Sequence, residues 1–408
     1  PNRTATAPFK LTYDGGTLDK NVNQKKLADQ TTDGASGQWS GWYLLTTIKV
    51  KLNTSSNLTL TTVDNSGGND YVIADEVLLV PAVSPNQVWV DKSCAQNGEN
   101  NGHIWNYDAF DVIQSAVNAV ASSGTVNVAS GTYNENQILI TKPVSVFGAG
   151  KTTTTIDGGG ALTLVNPGLV RITDSGNVTF QGFTIKNAGV DPAITGNSGM
   201  PVRVGIYASS ADSGTTYTIN NNKIIGTNNP NDEEDYGFYS NGGKESLVFT
   251  FNEITQTGSN AILLEKHDGA TNVSNNTWDR GVADGTVDPY FNMNHDGADI
   301  TSLQKVSHNT IDMGTGTVFD NDHRGFAITF ASAFTGTTGG FTNIQVTDNL
   351  ILNLKDYRRG IGFWNNSPSD GSTGNIQAPI ISGNTMLGVP GSSGSQAIRL
   401  LGLTTNAV

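Results

Sequence analysis

Charged side chains are scarce in this chain, and they gather beside one recurring strand pattern. Asp232-Glu233-Glu234-Asp235 leads into Tyr236, and Glu265-Lys266-His267-Asp268 closes a later strand. Asp288 enters the next and His295-Asp296 leaves it. Asp320, Asp322, His323 and Arg324 precede another, as do Asp356, Arg358 and Arg359. If successive strands stack, these groups recur about every 5 Å along one flank of one groove. Two chemistries suit such a row. A hydrolase needs two carboxylates, one protonated as acid and one ionised as base or nucleophile, within one or two rungs of each other. A lyase acting on uronates needs a base, and a cation or metal to neutralise the substrate carboxylate. Asp235, Glu265 and Asp288 are the candidate catalytic carboxylates. His323, Arg324 and Arg358 are candidates for binding an acidic sugar or moving its proton, with Lys266 and His295 beside them as substrate contacts. The competing explanation is a set of ion pairs tying long loops to the body.

The strands between these charges share one grammar. Gly205–Ser209, Gly237–Asn241, Ala261–Glu265, Pro289–Met293, Gly325–Thr329, Gly360–Trp364 and Ala397–Leu401 alternate apolar and other residues. Alternation predicts that Ile206, Phe238, Ile262, Tyr290, Phe326, Ile361 and Ile398 stack inward. Tyr207, Tyr239, Leu263 and Phe291 then face outward, with Asn241, Glu265, Met293 and Trp364 beside them. Tyr207, Tyr239, Phe291 and Trp364 would form a platform on which the C–H faces of sugar rings dock.

A second pattern interleaves with the first. Six segments follow apolar-x-x-Asn-x-apolar, centred on Asn222, Asn252, Asn276, Asn309, Asn349 and Asn384. A seventh carries Phe183 where the Asn would stand. Side-chain amides repeating once per coil read as a stacked ladder at a sharp corner, each amide donating to the next rung.

Other chemistries are poorly served. The Asp232 to Asp235 cluster offers oxygens to Ca²⁺ without the spaced ligands and Gly of a dedicated calcium loop. His267-Asp268 and His295-Asp296 are a weak divalent-cation pattern, and no cofactor is required. Gly148-Ala149-Gly150-Lys151-Thr152 lacks the spacing and helix of a phosphate loop. No Ser-His-Asp order stands out.

Composition narrows the class. The 408 residues carry 23 basic and 36 acidic groups, a formal charge of -13, with 14% charged and 36% hydrophobic residues. That balance excludes a disordered acidic chain and speaks against nucleic acid as a partner. No apolar run approaches the roughly 20 residues of a membrane span. Cys94 stands alone, so no intrachain disulfide or Cys-based zinc site forms. The 48 Gly, with abundant Asn and Thr, suggest an extracellular or cell-surface β protein. No leader precedes Pro1, so the chain reads as a mature or trimmed form. Sequons such as Asn57-Leu58-Thr59 are expected by chance at this composition.

Two regions follow. Residues 1–84 read as short strands between turns: Phe9–Tyr13, the turn at Asp14-Gly15-Gly16, Tyr43–Leu52, Leu58–Val63 and Tyr71–Val80. Asn2-Arg3 with Ala7-Pro8-Phe9, Tyr13-Asp14-Gly15-Gly16, Val22-Asn23-Gln24 and Tyr71–Asp75 resemble the latter half of a golvesin or xanthan-lyase-type accessory domain. That resemblance implies a β-sandwich attached to a secreted polysaccharide-active protein.

From 85 to 408 the order is different. Val88–Asp91 is a strand, and Asp108 is expected to cap an amphipathic helix near 108–121, ended by Gly124. Its apolar face would carry Phe110, Ile113, Ala116, Val117 and Val120. Gly131-Thr132-Tyr133, Phe147-Gly148-Ala149-Gly150 and Ile156-Asp157-Gly158 follow. This order resembles the start of the right-handed parallel β-helix of pectate-lyase-like and NosD-like proteins. The resemblance implies an all-β solenoid and an activity among pectate lyases, polygalacturonases, epimerases or disaggregatases, although the strict lyase and polygalacturonase motifs are missing. The expected function is a glycoside hydrolase or polysaccharide lyase working on a polysaccharide in a groove along the solenoid. The alternative is a non-catalytic adhesion, assembly or polysaccharide-binding protein, in which open ends of the solenoid would support self-association.

Overall fold

The structure is a computed structural model that describes residues 7–13, 16–22, 59–62, 83–95, 100–160, 168–195, 201–226, 235–255, 257, 259–281, 289–295, 299–315, 325–332, 340–354, 358–365, 376–388 and 396–401. Short strands rich in Val, Ile, Thr and Phe alternate buried and half-buried positions, as in Thr216–Asn220, and cannot bury their apolar face alone. They bury it by coiling. Each coil gives one strand to each of three parallel sheets, named A, B and C in the order the chain meets them. Thr216–Asn220 (sheet A), Lys223–Ile225 (sheet B) and Asp235–Asn241 (sheet C) make one such coil, and Ser246–Thr250 re-enters sheet A. The result is a right-handed parallel β-helix, the hand that parallel crossovers adopt.

One apolar column fills the interior. Ile206, Phe238, Ile262, Phe291, Ile328 and Ile361 lie opposite one another on successive rungs of sheet C, each fully buried. Each contributes roughly 2 kcal/mol by leaving water. The expected column is therefore corrected at two rungs. Phe291, not Tyr290, follows Ile262, and Ile328, not Phe326, follows Phe291. Tyr290 sits buried with its hydroxyl donating to Asn309 Oδ1 at 3.3 Å. The Phe326 ring packs within 2.9 Å of where a Gly362 Cβ would stand, under the Arg359 guanidinium, and takes no part in the main core. Met293, expected outward, is also buried in the core.

The asparagine ladder forms at the bend from sheet A to sheet B. Asn222 Nδ2 donates to Asn252 Oδ1 at 3.2 Å, and the same bond links Asn252 to Asn276, Asn276 to Asn309, Asn309 to Asn349, and Asn349 to Asn384. Each bend also needs a left-handed residue just before the ladder position, and Gly182, Asn221, Asn275, His308, Asp348 and Gly383 supply it cheaply. Phe251 occupies the same place at φ 56°. Phe183 begins the ladder through its backbone N–H, which donates to Asn222 Oδ1.

The helix is shorter than expected: α1 runs Ile113–Ala119. Asp108 does not cap it. That carboxylate instead accepts the Ile104 N–H at 2.6 Å and pairs with His103. Gly124 begins a sheet A strand rather than ending the helix. The first helical N–H groups, of Ile113 and Gln114, donate to the two oxygens of Glu135 at 2.6 and 3.0 Å. Ile113, Ala116 and Val117 form its buried face, whereas Phe110, expected on the helix, is buried in the strand Ala109–Phe110 and Val120 is buried just past the helix end.

In the N-terminal region, Ala7–Tyr13 pairs antiparallel with Gly16–Val22 and Thr59–Thr62. The expected strands Tyr43–Leu52 and Tyr71–Val80 lie outside the described residues. Among the described residues no helix is long and apolar enough to cross a membrane.

Candidate functional site

Sheet C presents its outward face as two side-chain columns. One runs Arg171, Tyr207, Tyr239, Leu263, Asn292 and Thr329 on consecutive strands. In the other, Asn241, Glu265, Asn294 and Ala331 succeed one another. Parallel pairing fixes this adjacency, because each outward residue lies about 4.8 Å from its equivalent on the next rung.

Three of these groups form one unit. The Tyr239 hydroxyl donates to Glu265 Oε2 at 2.6 Å, and Asn241 Nδ2 donates to the Tyr239 oxygen at 2.9 Å. Burial, then the Glu265 charge, pushes the Tyr239 hydroxyl pKa well up, so the phenol stays a donor. Tyr239 is held in turn by a satellite apolar cluster of Val202, Val204, Tyr236 and Leu263. Glu265 is therefore a carboxylate with one oxygen fixed from below, standing half-buried on the face.

The platform is narrower than the sequence suggests. Tyr239 is only 6% exposed and meets Tyr207 edge-on at 5.6 Å. Tyr207 remains half-buried, with the Arg171 guanidinium 4.5 Å from its ring centre. Phe291 cannot bind a ligand from this face, because it points into the core against Phe330. Trp364 pairs in register with Ala331 on the neighbouring strand.

The remaining candidates separate. Asp235 is buried where sheet B passes to sheet C, beside Lys186, Ala188 and Tyr236. It lies six residues before Asn241, the strand partner of Glu265. At 3.3 Å per residue that is about 20 Å, far beyond the roughly 5–9.5 Å of paired hydrolytic carboxylates. Asp235 and Glu265 are not an acid–base pair. Arg358 is fully buried, and its Nε donates to the Met313 carbonyl at 3.0 Å. It is tied to the body and does not face a groove. His295 is 1% exposed, with its ring against Phe341 and Nδ1 at 3.5 Å from Asp268. Lys266 is exposed immediately after Glu265, at φ 54°. Asp288, His323 and Arg324 lie outside the described residues, as do Asp232, Glu233, Glu234 and Asp296. Among the described residues no three His, Cys, Asp or Glu side chains gather to hold a metal.

Sequence reasoning missed two features. Arg171 belongs to the face, yet nothing near it in the chain marks it. Below the turn from sheet C to sheet A, Glu245 and His267 are both fully buried, with Oε1 and Nδ1 3.8 Å apart. Glu245 accepts the Ser210 N–H at 2.8 Å and the Ser240 hydroxyl at 3.4 Å. Burial raises its pKa to about 7 and lowers that of His267 to about 4. The hint was Gly242-Gly243: a Cβ on Gly243 would meet the Glu245 carboxylate at 2.5 Å.

No family model matches the chain, and no curated protein does. Among solved structures, the A-module of the Azotobacter vinelandii mannuronan C-5 epimerase AlgE6 is similar at 14% identity and a TM-score of 0.33, over 72% of this chain and 95% of that one. The Yersinia enterocolitica family 28 exopolygalacturonase is similar at 13% identity and a TM-score of 0.27, over 100% and 83%. The catalytic domain of a GH87 alpha-1,3-glucanase in complex with nigerose follows at 10% and 0.26, over 98% and 86%. The fold of this chain rests on its own strand ladders.

Proposed function

We propose that this chain is a secreted polysaccharide-acting protein whose polymer lies along the outward face of sheet C. The observation that carries the reading is the Glu265 carboxylate, fixed at 2.6 Å by the buried Tyr239 hydroxyl on a face that also offers Tyr207 and Arg171. Arg171 and Glu265 stand on strands three rungs apart, about 14 Å, a span that several sugar units cover. A guanidinium at one end suits an anionic sugar. Glu265 offers a base on the same face as that guanidinium, which meets the two needs of elimination from a uronate. Glu265 would take the proton next to the uronate carboxyl, the C4–O4 bond would break, a C4=C5 double bond would form, and solvent would protonate the departing oxygen. The antiparallel strands between residues 7 and 62 support an accessory β-domain of the golvesin type beside it.

The test is product analysis of the full chain incubated with neutral and uronate-containing polysaccharides. Unsaturated products from the uronate polymers, lost in Glu265→Gln and much reduced in Tyr239→Phe, are expected. Products heavier by one water per cut would replace elimination with hydrolysis, and uncut polymer throughout would overturn catalysis. A second reading is a binding or assembly subunit without turnover. Concentration-dependent sedimentation would support it.

A further inference from the structure

Sheet A turns outward a face that no part of the reading above uses. Its two outward columns run unbroken from Ser145 and Phe147 to Gln345 and Thr347 through successive parallel pairs. Between them stand side chains such as Thr179, Thr218, Asn220 and Asn272, and Lys305 is the one charged residue among these positions. The equivalent positions on sheet B hold Asp157, Lys186, Lys223, Glu253, Asp279 and Asp312. On a chain of net charge -13, one face has been kept nearly free of charge while its neighbour has not.

The face is also open along one border. The chain passes from sheet A to sheet B in two-residue bends such as Asn221-Asn222 and Asn275-Asn276, too short to fold back over it. Polar side chains stand half-buried along one column, at Ser145, Thr179, Thr218, Asn272, Lys305 and Gln345, whereas Thr250, Ser274 and Ser307 of the other column are buried. Donors and acceptors thus recur about every 4.8 Å across the strands over about 30 Å. Phe147, Val248 and the threonine methyl groups add apolar contact between them.

We propose that this face binds an uncharged, extended polysaccharide laid along the coil axis, and so holds the protein on insoluble polymer. A polyanion, nucleic acid or charged membrane gains nothing from a surface with a single lysine, since their binding needs an array of cations. A neutral glycan suits such a surface: its hydroxyls repeat along an extended chain to meet the half-buried polar side chains, and its C–H faces pack on Phe147. The surface is on a different sheet from Glu265, so it anchors without occupying the groove.

The experiment is retention of the full chain on microcrystalline cellulose and on chitin, with polygalacturonate beads as the anionic comparison. Saturable retention on at least one neutral polymer is expected. Thr218→Glu and, separately, Thr179→Lys should raise the dissociation constant at least tenfold, because each places an unpaired charge within the contact. Thr277→Lys, an exposed sheet B position, should leave retention unchanged. Melting profiles matching wild type keep the comparison free of unfolding. Glu265→Gln should be retained like wild type, and Thr218→Glu should act on soluble polymer like wild type, so failure of the groove reading and failure of this one are distinguishable. No retention on either neutral polymer, equal retention of both charged variants, retention on the polyanion alone, or inhibition of ice growth in place of polymer binding would each overturn the proposal.

Discussion

Glu245 and His267 offer a sharp test of buried electrostatics, because their effects on stability oppose each other. The two groups touch at 3.8 Å with no exposure, longer than a hydrogen bond, and burial keeps each in its neutral form. Glu245 has a folded pKa of about 7 against 4.5 for the free group. Its contribution is therefore fully present below pH 4.5 and lost as pH rises to 7. His267 has a folded pKa of about 4 against 6.5. Its contribution is present above pH 6.5 and lost as pH falls to 4. At about 1.4 kcal/mol per pH unit, each swing is worth roughly 3 kcal/mol. Between pH 4.5 and 6.5 the two slopes cancel, leaving this pair with almost no net effect on wild-type stability. The other groups facing Glu245 are Asp174, whose charge adds to the upward shift, and the Ser210 and Ser240 donors, which lower it. Glu245→Gln keeps an acceptor for the Ser210 N–H and removes the acid. Urea unfolding of this variant should show stability rising by roughly 3 kcal/mol, relative to wild type, from pH 4 to 6.5. His267→Gln should show the opposite, a fall of similar size from pH 4.5 to 7. If both variants keep the wild-type pH profile, neither group titrates as its burial requires, and the argument fails.

Other outcomes follow from the corners and caps. Phe251 is 55% exposed and sits at φ 56°, where the other bends use Gly, Asn, Asp or His. Phe251→Asn should stabilise by about 1 kcal/mol, read as a higher urea midpoint. Asn276→Leu would orphan the Asn252 N–H and one of the two Nδ2 protons, which donate to Asn276 Oδ1 at 2.8 and 3.2 Å. It should cost about 3 kcal/mol or more in equilibrium unfolding, or prevent folding. Glu135→Ala should leave the Ile113 and Gln114 N–H groups of α1 without acceptors. A loss of about 2 kcal/mol is expected, with faster amide hydrogen exchange confined to α1.

The sequence by itself determined what repeats over short distances. Alternation along each strand picks out Ile206, Phe238 and Ile262 as core, the Asn template identifies the ladder from Asn222 to Asn384, and the spacing of Ile113, Ala116 and Val117 marks one buried face. These features depend on residues a few positions apart and on the period of a strand or helix turn. Glu265, Tyr239 and Tyr207 were legible as outward residues for the same reason. Only the tertiary structure decided which residue of one coil meets which of the next. Loops of unequal length separate the coils, so Tyr290 and Phe291, or Phe326 and Ile328, were equally good inward residues until pairing with Ile262 and Ile361 chose between them. The same holds for charge. Asp235 and Glu265 look alike in sequence, yet they flank opposite ends of adjacent strands, and Arg358 turns inward to the Met313 carbonyl. Glu135 caps a helix 22 residues before it, and Glu245 meets His267 across neighbouring coils. A carboxylate's role is set by what surrounds it in space, and in a solenoid those neighbours arrive one full coil later.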